Sequence, residues 1–561
     1  MARTIFLICA LMVLPCVSQA QTQPPAPPPV ADLSEMPADC LVAGELTSPD
    51  RFCGIVERLM GAVAEKPEPG MLRRVFGKMM GNPTMAGVAL DKPLRFYYMN
   101  PKLHGQPWVY QVTVADAEAL RKALGPTRAA PEGHPAGALE FGVEQADEKR
   151  AEDGKTNAES ALEQRAPPTY LLIRDDIATI YSSLTACESL SRWQKLNPEP
   201  PRWRVVGQLR GRLAIQHFLA AYDAEFAQEV QAMRERMREA LERFGKRPET
   251  EEGIRNAQDQ LDTAATLLKQ VADMDVGIEL SEAAAVLRAD VFPLADSPLA
   301  KLVSTHPRGS LELFKSCPAN VDVAFAQNIS AMGAVSGLFL NRLGLFDMGQ
   351  AISSTLAAQM LFGLLLPKEP NEAVSLLLVR TNETAETAGQ FWNRLLQGDD
   401  ASTFGLRSVE APAGEAAALA EVTVNEAKLG PEGARAVRRI LGTRPMAAQE
   451  LRAGRSVLAI SGEPLALLAR IRGIEQDPAG SLSRNGAFSR TLGLLPDAPN
   501  VLLYASPAAV ARWLLLAEIP SAAPGPEAIG FAAAASLKAD GHAQAGVVLP
   551  LGQVLQAKPT D

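Results

Sequence analysis

Histidine is almost missing from this 561-residue chain. His104, His134, His217, His306 and His542 are the whole set, and no two stand at the spacing of paired metal ligands. That pattern excludes the local histidine motifs of metalloenzymes. Aromatic residues are only 5%, too few for the stacking platforms that single-stranded nucleic acids require, and a formal charge of −9 opposes a phosphate backbone. Cysteine is sparse as well. Cys9 and Cys16 lie in the N-terminal apolar run, which leaves Cys40, Cys53, Cys187 and Cys317 without any CxxC pair, so a zinc ribbon is excluded. Long apolar runs are lacking beyond the N-terminus. The nearest approach, MGQAISSTLAAQMLFGLLLP from Met348 to Pro367, is interrupted by Gln350, Ser353, Ser354, Thr355 and Gln359, and it predicts a helix packed on a sheet, with Leu361, Phe362, Leu365 and Leu366 buried, rather than a membrane span.

Local catalytic motifs fail on inspection. GAVSG, Gly333 to Gly337, has its serine one place too late for a nucleophile elbow. DGKT, Asp153 to Thr156, ends like a phosphate loop, but Lys149 stands where the first glycine belongs and Glu148, Glu152 and Asp153 repel phosphate. Asp175-Asp176 reads as a helix cap, since adjacent carboxylates diverge and do not converge on a substrate. His217, inside LAIQHFL, reads as a satisfied core imidazole. No catalytic residue, metal ligand or cofactor site is expected from these patterns.

What is present begins with MARTIFLICALMVLPCVSQAQ. One early charge, an apolar run and Ser18-Gln19-Ala20 before the cut make residues 1–20 a signal peptide, and a periplasmic or secreted location is expected. Cys16 as a lipid anchor is the alternative, against which Pro15 stands. Losing Arg3 with the leader moves the charge from −9 to −10. Residues 21–45 open with QTQPPAPPPV and predict an extended tether. In an exported chain Cys40 and Cys53 are candidates for a disulfide stapling the start of the first domain.

The body of the chain repeats a grammar. WVYQVTVADAEALRKALG, Trp108 to Gly125, alternates apolar and polar residues, then switches to helical spacing after Asp116, a cap, and stops at Gly125-Pro126. VSLLLVRTNETAETAGQFWNRLLQG, Val374 to Gly398, does the same. Strand-to-helix units follow at Tyr170 to Leu184 and Trp203 to Leu219 in the first half, and at Ser456 to Ile471 and Asn500 to Leu515 in the second. Each half closes on two alternating strands ending in Pro-Leu, Pro293-Leu294 and Pro550-Leu551. The expected fold is therefore α+β: two similar modules in tandem, 46–305 and 306–561, each a largely antiparallel sheet with helices on one face. The polar stretch Glu140 to Pro168 predicts a solvated loop, and apolar positions from Phe226 to Val271 predict a helical hairpin over 222–275 inserted in the first module.

GVALDKPLRFYYMNP, Gly87 to Pro101, with the unit that follows it, resembles the "Gly-Val-Asp-x-x-Lys-Pro-x-Gly" strand and "Val-Pro-Val-x-Asp" helix start of large secreted bacterial envelope proteins built from a doubled α/β module, a domain of unknown function. VVLPLGQVL is similar to the closing strand of that group, and the resemblance spans Leu46 to Gln556. Ala89 replaces the acidic residue and Leu94-Arg95 the glycine. The resemblance implies the fold and export, and no site residue. Together these features predict a non-enzymatic binding or scaffold protein of the cell envelope, without nucleic acid, cofactor or transmembrane span, its partner an envelope protein or an apolar ligand. A carrier of a lipid-like ligand and a hydrolase assembled from distant residues are the two other classes.

Overall fold

The structure is a computed structural model that describes residues 36–63, 68–141, 169–197, 203–243, 258, 261–262, 265–305, 312–327, 360–366, 374–397, 404–424, 444–516, 523–538 and 540–556, with single helical positions between 426 and 442. The leader, residues 21–35 of the tether, most of the loop 140–168 with its DGKT, GAVSG, His306 and the first part of Met348 to Pro367 lie outside the described residues. The chain divides into two compact units, one over 25–254 and 269–295, the other over 255–268 and 296–556. The boundary thus falls before the expected 305/306.

Among the described residues the first unit holds ten strands: β1 (Cys40–Leu46), β2 (Leu94–Met99), β3 (Trp108–Thr113), β4 (Thr127–Ala129), β5 (Leu139–Phe141), β6 (Thr169–Arg174), β7 (Ile177–Tyr181), β8 (Leu209–Leu213), β9 (Val271–Leu280) and β10 (Ala284–Pro293). All pairings are antiparallel, in the order β4-β5-β6-β7-β3-β2-β1-β8-β9-β10. Its helices are α1 (Pro49–Val63), α2 (Met71–Met79), α3 (Pro101–His104), α4 (Ala117–Ala123), α5 (Leu184–Leu196) and α6 (Ile215–Arg243). The grammar of Trp108 to Gly125 is realised directly. Asp116 Oδ1 accepts from the amides of Glu118 and Ala119 at 2.9 and 3.0 Å, and Gly125 leaves the helix at φ 80°, where a side chain is disfavoured.

Four expectations change here. Helices cover both faces. Val109 and Tyr181 pack with Cys187 and Leu190 of α5, whereas Tyr110, Val112 and Ile180 pack with Leu120 of α4 and Phe76 of α2. Alternate residues of the same strands thus enter opposite cores, so one covered face would leave the other core in water. Cys40 to Glu45 belong to β1, central in the sheet, and are no tether. The helical hairpin expected over 222–275 changes at its bounds: Tyr222 lies inside α6, at φ −133°, and Val271 opens β9, while its turn and much of its second helix lie outside the described residues. Asp175-Asp176 cap nothing. Both have positive φ, 48° and 61°, and form the two-residue turn of the β6–β7 hairpin, an arrangement whose twist suits paired strands and which Asp tolerates. The cap of α5 is Ser183, whose Oγ accepts from the Ala186 amide.

Among its described residues the second unit also holds ten strands: β11 (Val323–Gln327), β12 (Met360–Leu365), β13 (Ser375–Thr381), β14 (Phe404–Val409), β15 (Ala418–Val424), β16 (Met446–Arg452), β17 (Arg455–Ser461), β18 (Val501–Ala505), β19 (Phe531–Leu537) and β20 (Ala543–Pro550). The order is β14-β15-β16-β17-β13-β12-β11-β18-β19-β20, again antiparallel throughout. Its helices include α7 (Ala385–Gln397), α8 (Pro464–Gln476), α9 (Gly486–Leu492) and α10 (Pro507–Leu516). Met360 to Leu365 corrects the helix expected over Met348 to Pro367. Leu361, Phe362 and Leu365 are buried as expected but on a central strand, because a short apolar run suits a doubly covered strand as well as a buried helix. Leu366 is half-buried.

The two sheets match in register as well as in order. Ala43 faces Tyr97, Tyr97 faces Val109, Val109 faces Tyr181 and Tyr181 faces Tyr170. The second sheet runs Ala324, Gly363, Leu377, Ala459 and Ala448 through the same positions. Toward the other edge, Arg212, Asp275 and Asp290 stand where the second sheet has Tyr504, Ala532 and Val548. Even the turn corresponds, Asp175-Asp176 against Ala453-Gly454, whose φ values of 45° and 75° are again positive.

Candidate functional site

Uncommon chemistry gathers at one end of the first sheet, where β2 passes through α3 into β3 and β7 passes into α5. Tyr98 faces Trp108 and Phe96 faces Tyr110 across the β2–β3 pair, which sets four aromatic rings together in an aromatic-poor chain. Trp108 lies 4.7 Å from Tyr98 and 5.8 Å from Tyr110, centroid to centroid, the latter pair stacked. Gly44 on β1 makes room for the Phe96 ring, since a Cβ there would strike it. Trp108 keeps 37% of its surface exposed, and Leu103 on α3 keeps 65%. Lys102, also on α3, places Nζ 5.0 Å from the Tyr222 ring and 2.6 Å from Glu225, tying α3 to the bend of α6.

The same short helix carries His104. Its Nε2 lies 2.6 Å from Asp39 Oδ2 and its Nδ1 2.9 Å from Thr185 Oγ1. Ser189 donates to the other Asp39 oxygen at 2.7 Å, and Ser183 Oγ is 3.0 Å from Thr185 Oγ1. Asp39 and His104 are largely shielded, whereas Thr185 is exposed. Positions 39, 104, 183, 185 and 189 share no local motif, so sequence reading missed the group; only the fold assembles it.

A buried ionic row lies elsewhere in the sheet. Arg212 grips Asp275 in a two-pronged pair at 2.5 and 2.8 Å, both residues buried, and Asp275 also accepts from the Arg204 amide. Beside it burial pushes the Asp273 carboxyl above its ordinary value, and its Oδ1 is buried without a hydrogen-bond partner among the described residues. Buried Glu45 receives Arg95 and Arg210 from the strands on either side, at 2.9 and 2.7 Å. Arg212, Asp275 and Glu45 are buried and ion-paired, which makes this row structural rather than reactive.

The cysteine expectation is corrected. Cys40, Cys53, Cys187 and Cys317 are separate buried thiols. Cys40 sits in β1, with Sγ 3.2 Å from the Val42 carbonyl, while Cys53 sits in α1, so strand and helix hold the pair in different packing environments. Burial, with the neighbouring Asp39 charge, pushes the Cys40 thiol far up, and burial holds Cys53 and Cys187 at about 11. His217 is half-buried, with Nδ1 3.1 Å from the Cys40 carbonyl. An open cleft of about 510 Å³ is lined by Arg51, Gly54, Ile55, Arg58, Ser281 and Glu282. Among the described residues no helix is long and apolar enough to cross a membrane.

Compared with known proteins, the chain matches no family model, no curated protein and no solved structure.

Proposed function

We propose that the chain is an exported binding protein of the bacterial cell envelope, built from two diverged copies of one α+β module, with its binding surface at the aromatic end of the first. The shared strand order and register of the two ten-stranded sheets support the duplication. The clustered, partly exposed rings of Phe96, Tyr98 and Trp108 carry the binding reading. Trp and Tyr supply large contact area at small entropic cost and dominate the energetics of interfaces. The matching positions of the second sheet, Phe362, Leu364 and Leu376, contain a single aromatic ring, and Phe362 is fully buried. The leader supports export, and a scaffold role would use the same surface. Co-purification from an envelope fraction, with the mature chain from Gln21 as bait, tests the reading. A partner retained by the native chain and lost with Trp108→Ala at unchanged melting temperature is expected. Equal recovery with both chains would overturn the assignment of this surface.

A further inference from the structure

We infer that Asp39, His104 and Thr185 form a hydrolytic relay, with the Thr185 hydroxyl as nucleophile toward carboxylic esters that carry an apolar acyl or aryl part. The inference goes beyond the binding reading and rests on different residues. Hydrogen-bond polarity supplies the first support. The Asp39 carboxylate only accepts, so His104 Nε2 donates to it, and in the neutral ring Nδ1 is left as an acceptor for the Thr185 hydroxyl. Ser183 Oγ already accepts from the Ala186 amide, so its own proton is free to be donated to Thr185 Oγ1. Every hydroxyl then points one way, toward a base held in the tautomer it needs. The chain acid–imidazole–hydroxyl is that of hydrolytic triads, with the two ring nitrogens exchanged.

Accessibility supplies the second support. Thr185 is open to solvent while the imidazole and carboxylate behind it are shielded, the arrangement that lets an ester reach the nucleophile and keeps water from the proton relay. Thiol chemistry is disfavoured, because all four described cysteines are buried and held protonated. Leu103, adjacent to His104 and strongly exposed, offers apolar contact to an acyl or aryl group.

In the reaction Thr185 Oγ1 bonds to the ester carbonyl carbon as its proton passes to His104 Nδ1, and Asp39 stabilises the imidazolium. The carbonyl oxygen takes the electron pair as the tetrahedral intermediate forms. Collapse breaks the bond to the alcohol, which leaves with the proton from His104. Water then adds to the acyl-threonine with His104 as base, releasing the acid and restoring the hydroxyl.

The test uses the mature chain, p-nitrophenyl butyrate and a fluorophosphonate probe with peptide mapping. The expected result is probe on the peptide containing Thr185, with loss of label and at least about a 100-fold drop in ester hydrolysis in Thr185→Val. Thr185→Ser keeps both, and His104→Gln lowers both by about 100-fold. Thr185 is exposed, so Val and Ser variants with native melting temperatures separate chemistry from folding. Absence of label, label on another residue, or hydrolysis unchanged in Thr185→Val would overturn the inference. The probe label and ester hydrolysis read the relay, whereas the envelope partner reads the aromatic surface, so failure of the one and failure of the other are distinguishable.

Discussion

Tyr97, Tyr181 and Tyr170 of the first sheet stand at the register positions that Gly363, Ala459 and Ala448 hold in the second. One backbone plan is thus filled in opposite ways. In the first unit the strands themselves supply the bulk. In the second, small strand residues admit bulk from the cover: Cys317 and Val321 close on Gly363, and Phe314 meets Phe488, which meets Tyr504 edge-on at 4.9 Å. Polarity divides the same way. Arg212, Asp275, Glu45, Arg95 and Gln111 have the counterparts Tyr504, Ala532, Ala326, Leu361 and Val379. Register is set by strand pairing and turn geometry, which tolerate these exchanges so long as each core is filled.

The ionic row gives the largest expected contrast. Arg212→Met leaves Asp275 buried without its partner and lowers stability by about 3–5 kcal/mol, read from denaturant unfolding. Adding Asp275→Leu, which makes the pair apolar as in the second sheet, recovers at least half of that loss. If the double variant is no better than the single one, the two rows are not interchangeable.

Gly44→Ala comes next. The new methyl meets the Phe96 ring, and a loss of about 1–3 kcal/mol is expected, with altered near-ultraviolet circular dichroism from the displaced aromatic cluster. The second sheet carries Phe325 at this position, so a neutral Gly44→Ala would show that Phe96 does not depend on the space and would break that part of the comparison.

Asp273 provides a pH effect. Burial raises its carboxyl in the folded chain, so the folded form holds the proton more tightly than the unfolded one. Its contribution is fully present below the ordinary Asp range and is lost as pH rises through the raised value. Asp273→Asn removes this decline. Above that range the variant is the more stable chain by about 1 kcal/mol, the low end of what a buried polar atom without a partner costs. Parallel stability profiles for the two chains across the range would contradict the assignment.

The smallest effects are at the matched turns. Gly454→Ala places a side chain at φ 75° and costs about 1 kcal/mol, whereas Asp176→Gly relieves φ 61° and changes stability by about 0.5 kcal/mol or less. Thermal unfolding that reverses this order would show that the turns are not equivalent.

Much of the architecture was legible because the period change from two to 3.6 is a local property, as in Trp108 to Gly125. Coverage of both faces was also written in runs such as YLLI and SVLAI, which are apolar at consecutive positions. Met360 to Leu365 was misread because six apolar residues fit a central strand or a buried helix equally. The Asp175-Asp176 turn was hidden by a second use of Asp, in left-handed turn conformations rather than at a cap. Asp39, His104 and Thr185 were not legible at all, since their meeting depends on the start of β1, the end of α3 and the start of α5 lying at one end of the sheet.

The central claim, one module twice with binding chemistry in the first copy, is tested most directly by photo-crosslinking in the native cell. A photoreactive residue replaces Trp108 in one full-length chain and Trp513, an exposed tryptophan of the second unit, in another. The account predicts a discrete adduct from position 108 and none from position 513. An adduct from 513 alone, or equal adducts from both, would contradict it.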